Sequence, residues 1–532
     1  MVKVNQIGYP SDAPKVAVLT DGQNPFYICC DQSGTVVFEG KPKQPIKDQA
    51  SGELVFHGDF SSLTTEGSYY IKQGTSQSAP FQITRFPYQA VHLSVLKAFY
   101  YLRCGMALSP PYAETQWVHK ACHTQVAIDY ESKQQIKCQG GWHDAGDYGK
   151  YTVAAAKALA DLLLAFELKP ATFQATTPIP ETDGVMPDLL HECQYELNWL
   201  LKMQNKGSGG VYHKVTTLAF PAMIMPEDDV EPLYVLPIST TATAAFTAIM
   251  AQAYRILLNY QPDSAKNYLT AAKQAWAFLM KHPEPILFVN PNDVLTGEYG
   301  DNCDRDERYW AAGELYRATG DGQYVAAFKV QSDHKFDHYA LGWANMGGYG
   351  TISYLLNQAV PTEDALGQLL RAGWLNEAQR LLKVAATTGY RVSLEVADYH
   401  WGSNMTLMNA ATHLLIAYHL TGEQCYREQA LEHVHYLLGR NMHNLSYVSG
   451  IGAQSVSQQH YRPSAALPAG SDPVPGLVSG GPNQQLQDEV SRRQLAGKPP
   501  QACFIDHEAS YATNEVTIYW NSPVVLVLSF FS

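Results

Sequence analysis

Residues 240–257 read Thr-Thr-Ala-Thr-Ala-Ala-Phe-Thr-Ala-Ile-Met-Ala-Gln-Ala-Tyr-Arg-Ile-Leu. Among Ala244, Ile249, Ala253, Ile256 and Leu257, the last four follow the three- and four-residue spacing of an α-helix. The stretch is apolar on more than one face, so it belongs inside layers of other helices and not on a half-wetted surface. Working outward, about twelve such segments are predicted, beginning near Gln89, Gly149, Met186, Thr240, Ser264, Asp304, Gly322, Asn345, Trp374, Gly402, Gly422 and Tyr511. An even number of helices around one core predicts concentric layers, an (α/α)6 toroid, more than a small bundle.

The first eighty-odd residues have a different period. Lys15–Thr20, Phe26–Cys30, Thr35–Gly40, Glu53–Phe60, Gly67–Gln73 and Phe81–Arg85 are short, β-rich and separated by turn clusters. That spacing predicts a small β-sandwich. With Phe86-Pro87 as the boundary, the expected domains are 1–86 and 87–532. The chain is therefore read as mainly α, an (α/α)6 barrel preceded by a small sandwich. Four long stretches resist a helical reading: Lys206–Pro237, Pro283–Asp301, Leu445–Ala502 and the run around Cys138–Asp147. Long loops in compact domains are commonly functional. Their Gly, Pro, His, Tyr and acidic residues place the expected site there.

Composition narrows the chemistry. Of 532 residues, 46% are hydrophobic and 16% charged, which is globular. The net charge of −13 argues against nucleic acid, whose phosphates need a basic face. The 33 Tyr and 9 Trp supply flat faces of the kind that sugar clefts use. No apolar run is long enough for a membrane helix, and the start at Met1 has no signal-type stretch, so a cytoplasmic location is expected. Nine cysteines, an odd number, point to thiols or a metal site and not to a disulfide framework.

Five constellations carry candidate chemistry. In Gly140–Tyr151, Asp144 and Asp147 stand three residues apart before a helix, where a carboxylate can deprotonate water or simply cap the helix. Glu515, before an apolar-rich run, suits a buried general acid or a first-turn dipole partner. Cys104, Cys122, His123 and His143 offer two soft and two imidazole ligands, either a zinc site bracing the Asp144 loop or unrelated buried groups. Tyr299–Glu307 gathers four acids, suited to calcium or to a solvated helix start. His460 and Arg462, in the longest loop, can donate to sugar hydroxyls or serve the loop itself.

Taken in order, these strings resemble the family 9 glycoside hydrolases, the cellulase family with a small N-terminal Ig-like domain. The likeness spans the chain. It runs from Asn5-Gln6-Ile7-Gly8-Tyr9 through GWHDAGDYGKY (141–151), PDLLHECQYELNWLLKMQ (187–204), GGVYHK (209–214) and STTATAAF (239–246). It continues with YGDNCDRDERYWAAGELYRATGD (299–321), YHWGSN (399–404), YLLGRN (436–441), RPS (462–464), GGPN (480–483) and SYATNEVTIYWNSP (510–523).

The resemblance implies an (α/α)6 barrel and inverting hydrolysis of β-1,4-glucosidic bonds. Asp147 matches the general base, Asp144 its helper on the same water, and Glu515 the general acid. Cys104, Cys122, His123 and His143 match zinc ligands. Asp301, Asp306 and Glu307 fall in the calcium region, with Asn345 as a further ligand. His213, Trp401, His460, Arg462 and Tyr511 fall on substrate-contact segments. Relatives usually read His-His-Arg where this chain has His460-Tyr461-Arg462, so one sugar contact is expected to differ.

The expected function is an inverting β-1,4-glycoside hydrolase acting on short soluble gluco-configured chains. An alternative is an exo-β-glucosaminidase on chitosan oligomers. A reading of another class is a non-catalytic carbohydrate binder. Structural zinc and calcium are expected, with no organic cofactor. The expected partner is an oligosaccharide, with no nucleic acid or membrane, and the chain a monomer or weak homo-oligomer.

Overall fold

The computed structural model describes every residue except Ala469, which lies within the long 445–502 segment. It divides into two compact units, residues 1–98 with 376–532, and residues 99–375.

The first unit opens with the sandwich. One sheet orders Val2–Lys3, Val16–Leu19, Leu54–Asp59 and Ile46–Lys47. The other orders Gly8–Pro10, Phe81–Thr84, Gly67–Gln73, Phe26–Cys30 and Val36–Gly40, with Ser76–Gln77 paired to Gly67–Gln73. The two- and three-residue strands were not expected, because so short a run shows no alternation. Tyr9, Leu19, Phe26, Ile28, Phe60 and Ile71 form the dry core, each worth roughly 1.5–3 kcal/mol of burial. Gly8 pairs with Gln82 on a parallel neighbour. Its φ is +145°, and a Cβ there would lie 2.0 Å from the Gln82 carbonyl, so only glycine fits.

The run 436–441 ties this sandwich to the helices of its own unit. Arg440, fully buried, donates to the Val16 and Tyr390 carbonyls at 3.3 and 3.2 Å and pairs with Glu432. Gln6 N–H donates to Leu438 O at 3.0 Å. Helices Ser403–Thr421, Gln424–Leu437 and Ile518–Leu528 pack on one another.

In the second unit the helices alternate in character. Thr152–Leu168, Thr240–Leu257, Arg305–Thr319 and Gly347–Leu355 pack successively side by side. Asp188–Met203, Pro262–Lys281 and Gly322–Ser332 each back one of them. Fifteen of the seventeen residues of Thr152–Leu168 are buried, against two of eleven in Gly322–Ser332. Small side chains explain this, since alanine and threonine let helices approach on several faces at native density.

Most helix starts lie within three residues of expectation. The helix expected at Trp374 begins at Ala365 instead, because Gly367 and Gly373 weaken the local helical signal. The helix expected at Tyr511 is broken into Tyr511–Asn514 and Ile518–Leu528. The irregular stretches also hold a small unexpected sheet, ordered Gln135–Ile136, Ala127–Asp129, Tyr234–Val235, Lys214–Thr216 and Lys150–Tyr151. It sets the end of the Asp144 loop beside His213 and Lys214. Among the described residues, no helix is long and apolar enough to cross a membrane.

Candidate active site

In the second unit, the loop before Thr152–Leu168 turns on Gly140 and Gly141, both at positive φ. A Cβ on Gly141 would meet Trp199 at 2.7 Å, so the backbone passes close under that ring. Trp142 is buried; its N–H donates to Glu196 at 2.5 Å and its indole N–H to Glu192 at 2.8 Å. Glu192 is itself clamped by Arg103. The loop backbone is thereby rigid where it presents its two aspartates.

Neither aspartate caps the helix. The helix starts at Thr152, and the residue before it, Tyr151, makes no side-chain cap. Asp147 Oδ2 instead accepts the Gly149 N–H at 2.9 Å. Asp144 is fully buried and its Oδ2 accepts the Tyr299 hydroxyl at 2.5 Å. Its Oδ1 has no hydrogen-bond partner among the described residues. Burial pushes the Asp144 carboxyl well above its ordinary range; the Tyr299 hydrogen bond opposes this and the neighbouring Asp147 charge adds to it.

Tyr299 was not singled out from the sequence. Its backbone is left-handed, with φ +51°, and its ring lies 4.4 Å from that of Tyr151. His213 pins it, with Nε2 at 3.1 and 3.2 Å from the carbonyls of Glu298 and Tyr299. Nδ1 of His213 meets Ser239 Oγ at 2.9 Å, and the ring stacks on Phe288. His213 was expected on a substrate-contact segment, but it is fully buried with both ring nitrogens engaged inside this unit. Burial lowers its pKa to about 3, so it stays neutral. Lys214 donates to Asn290 Oδ1, Thr296 Oγ1 and Gly297 O at 2.8, 3.2 and 2.6 Å and fixes the same loop. The one signal for Tyr299 and Lys214 was their place inside the quoted strings 299–321 and 209–214.

In the first unit, Glu515 follows the short helix Tyr511–Asn514 in extended conformation, with φ −69° and ψ 164°. The expected place in the first turn of the last helix is therefore wrong: that helix begins at Ile518, capped by Thr517. Glu515 forms a bridge with His460, and its carbonyl accepts the Gly480 N–H at 2.9 Å. Backbone pairing thus holds this half-buried carboxyl beside the 460 loop. The Tyr511 ring lies 5.4 Å from Trp401 and 5.9 Å from His460, with Trp401 40% exposed. Arg462, buried, begins the short helix Arg462–Ala465.

Two metal expectations have different geometry. Ligand atoms of Cys104, Cys122, His123 and His143, all buried, lie within 4.8 Å of one another. His143 Nε2 is 3.3 Å from His123 Nδ1 and 4.0 Å from Cys122 Sγ. A tetrahedral ion with bonds of about 2.0–2.3 Å needs ligand separations of roughly 3.3–3.8 Å; the four groups lie somewhat wider than that, and their two thiols and two imidazoles are the donor chemistry such an ion takes.

The acidic group is not a solvated helix start, since Asp306 and Glu307 are buried. Asp306 Oδ2 accepts the Met346 N–H at 2.6 Å, next to the exposed Asn345. Neither Glu307 oxygen has a hydrogen-bond partner among the described residues. Burial raises both carboxyls, and it lifts Asp301 to about 6.

Residues 88–528 match the family model for Glycosyl hydrolase family 9, and residues 1–78 that for the Cellulase N-terminal ig-like domain. The chain is 38% identical to a cellodextrinase of Butyrivibrio fibrisolvens, over 99% of both chains. It is 33% identical to endoglucanase D of Acetivibrio thermocellus, over 100% of this chain and 83% of that one. Among solved structures it is similar to AaCel9A in complex with cellobiose-like isofagomine, with TM-score 0.93, 39% identity and 99% of both chains covered. It is also similar to a Zn-binding triple mutant of the family 9 endoglucanase J30, with TM-score 0.92 and 34% identity, over 98% of this chain and 99% of that one.

Proposed function

This chain belongs to glycosyl hydrolase family 9 and is an O-glycosyl hydrolase, and from that premise we propose that it hydrolyses β-1,4-glucosidic bonds with inversion, with Asp147 as general base, Asp144 as its helper and Glu515 as general acid. Asp147 takes a proton from water while the water oxygen bonds to the anomeric carbon. The bond to the leaving oxygen breaks, and that oxygen receives the Glu515 proton. Asp144 orients the same water. Inversion needs the acid and base about 6.5–9.5 Å apart with room for that water.

The observation that supports this best is the Asp144 carboxylate. It is buried beside Asp147, not used as a helix cap, and holds one oxygen without a hydrogen-bond partner among the described residues. A buried unpaired acceptor is costly unless a ligand meets it. The Trp401–Tyr511–His460 group next to Glu515 suits sugar faces, and Arg462 is read as a further sugar contact from the same loop. His213 is read as acting on this site by holding the Tyr299 backbone.

We take the sandwich as residues 1–86 and the catalytic domain as 87–532, whose successive packed helices suit an (α/α)6 barrel. The substrate is read as a short soluble cello-oligosaccharide, in keeping with the cellodextrinase relative. Cys104, Cys122, His123 and His143 would hold zinc, which braces the loop without entering the reaction. Asp301, Asp306 and Glu307, with Asn345 at the edge, would hold calcium. Glu515→Gln tests the acid: turnover of cello-oligosaccharides should fall by about 10²–10⁴ with binding retained. Unchanged turnover would remove Glu515 from the role.

A further inference from the structure

The four Cys and His side chains leave one ring nitrogen of His123 facing away from their cluster. His123 Nδ1 points to His143, while Nε2 lies 3.2 Å from Oδ2 of Asp229. Asp229 is buried, although its neighbours Asp228 and Val230 are exposed, Val230 at 81%. The loop therefore turns one carboxylate inward, onto an imidazole held at a left-handed backbone with φ +47°.

An imidazole that ligates through Nδ1 must carry its proton on Nε2. A carboxylate accepting that proton fixes both tautomer and ring orientation, and makes the ligand nitrogen more basic. The surroundings show what else this bond joins. Tyr148 OH donates to Ile224 O at 2.6 Å, and Lys120 N–H to Glu227 Oε1 at 3.3 Å. Gln125 Nε2 donates to Glu231 O at 3.1 Å, and Ile128 N–H to Leu233 O at 2.8 Å. The stretch 224–233 is thus fastened along the segment carrying Cys122 and His123, with Asp229 in the middle.

We propose that Asp229 is a positioning residue for the bound metal, and that metal loading orders the 224–233 loop through the Asp229–His123 bond. This rests on the reading of the Cys104, Cys122, His123 and His143 set as a zinc site.

The test uses the full chain and zinc alone, with affinity measured by competition against a chromophoric chelator. Asp229→Asn should weaken zinc binding by about 10–100-fold. Asp228→Asn, which removes a nearby exposed charge, should stay within about threefold, and Asp229→Glu should recover part of the loss, as expected of an outer-shell carboxylate. Hydrogen exchange in 224–233 should rise on zinc removal from the parent chain, and rise equally in zinc-loaded Asp229→Asn. An Asp229→Asn affinity matching Asp228→Asn overturns the proposal while leaving the zinc site standing. Failure of the parent chain to bind zinc removes the site itself, and this inference with it.

Discussion

The Tyr299 hydroxyl lies 2.5 Å from Oδ2 of Asp144, on a backbone that His213 and Lys214 hold from behind. Residues from three separate stretches of one unit thus converge on a single buried carboxylate. This arrangement gives Asp144 one oxygen occupied by Tyr299 and one with no hydrogen-bond partner among the described residues.

Tyr299→Phe removes that donor. The bond favours the ionised carboxylate, so its loss raises the Asp144 pKa further. If Asp144 must be ionised, the acidic limb of the kcat/KM profile moves to higher pH. A fall in kcat of about 5–100-fold, with KM within about twofold, corresponds to losing one buried bond of roughly 1–3 kcal/mol. An unmoved acid limb would separate Tyr299 from Asp144.

Asp147→Asn keeps the shape of the side chain and the acceptor for Gly149 N–H but cannot take a proton. Turnover should fall by about 10²–10⁴-fold, the usual contribution of a general base. Azide added to the variant should restore part of the rate if an external base fills the same place.

Chelation should release about one zinc per chain, as expected of a closed four-ligand site. The melting temperature should fall with it, because the ligands are buried and lose their common partner. Cys122→Ser should show the same lower melting temperature before any chelator is added. Equal melting temperatures with and without metal would return these residues to ordinary packing.

His433 is buried, and burial holds its pKa at about 3. In the unfolded chain it titrates near 6.5. Between these values the unfolded state binds the extra proton, so stability drops as pH falls. His433 contributes a slope of about 1.4 kcal/mol per pH unit across that window. Denaturant unfolding of His433→Gln between pH 6 and 4 should show a shallower slope by about that amount. Identical slopes would mean that the imidazole protonates in the folded state.

Cello-oligosaccharides, soluble cellulose and glucosamine dimers distinguish the substrate readings. Turnover should be highest on the short cello-oligosaccharides. Fast cleavage of the soluble polymer with little on short chains would overturn the size preference, and turnover of glucosamine dimers alone would favour the amino-sugar alternative.

The amino-acid order alone determined the longer sandwich strands, most helix starts and the chain's family. Alternation and the 3.6-residue period are local, and the ordered strings from GWHDAGDYGKY to SYATNEVTIYW are read without coordinates. It also paired Cys104, Cys122, His123 and His143, which the fold gathers within 4.8 Å. Tertiary structure decided what each polar residue does. Capping by Asp144 and Asp147 was excluded only by where the helix begins, and Glu515 lost its helical turn to pairing with His460. His213 became a buried brace, and Tyr299, Lys214 and Asp229 acquired partners 76–155 residues away in the chain. Burial and hydrogen-bond geometry arise from contacts between distant segments, and no local pattern encodes them.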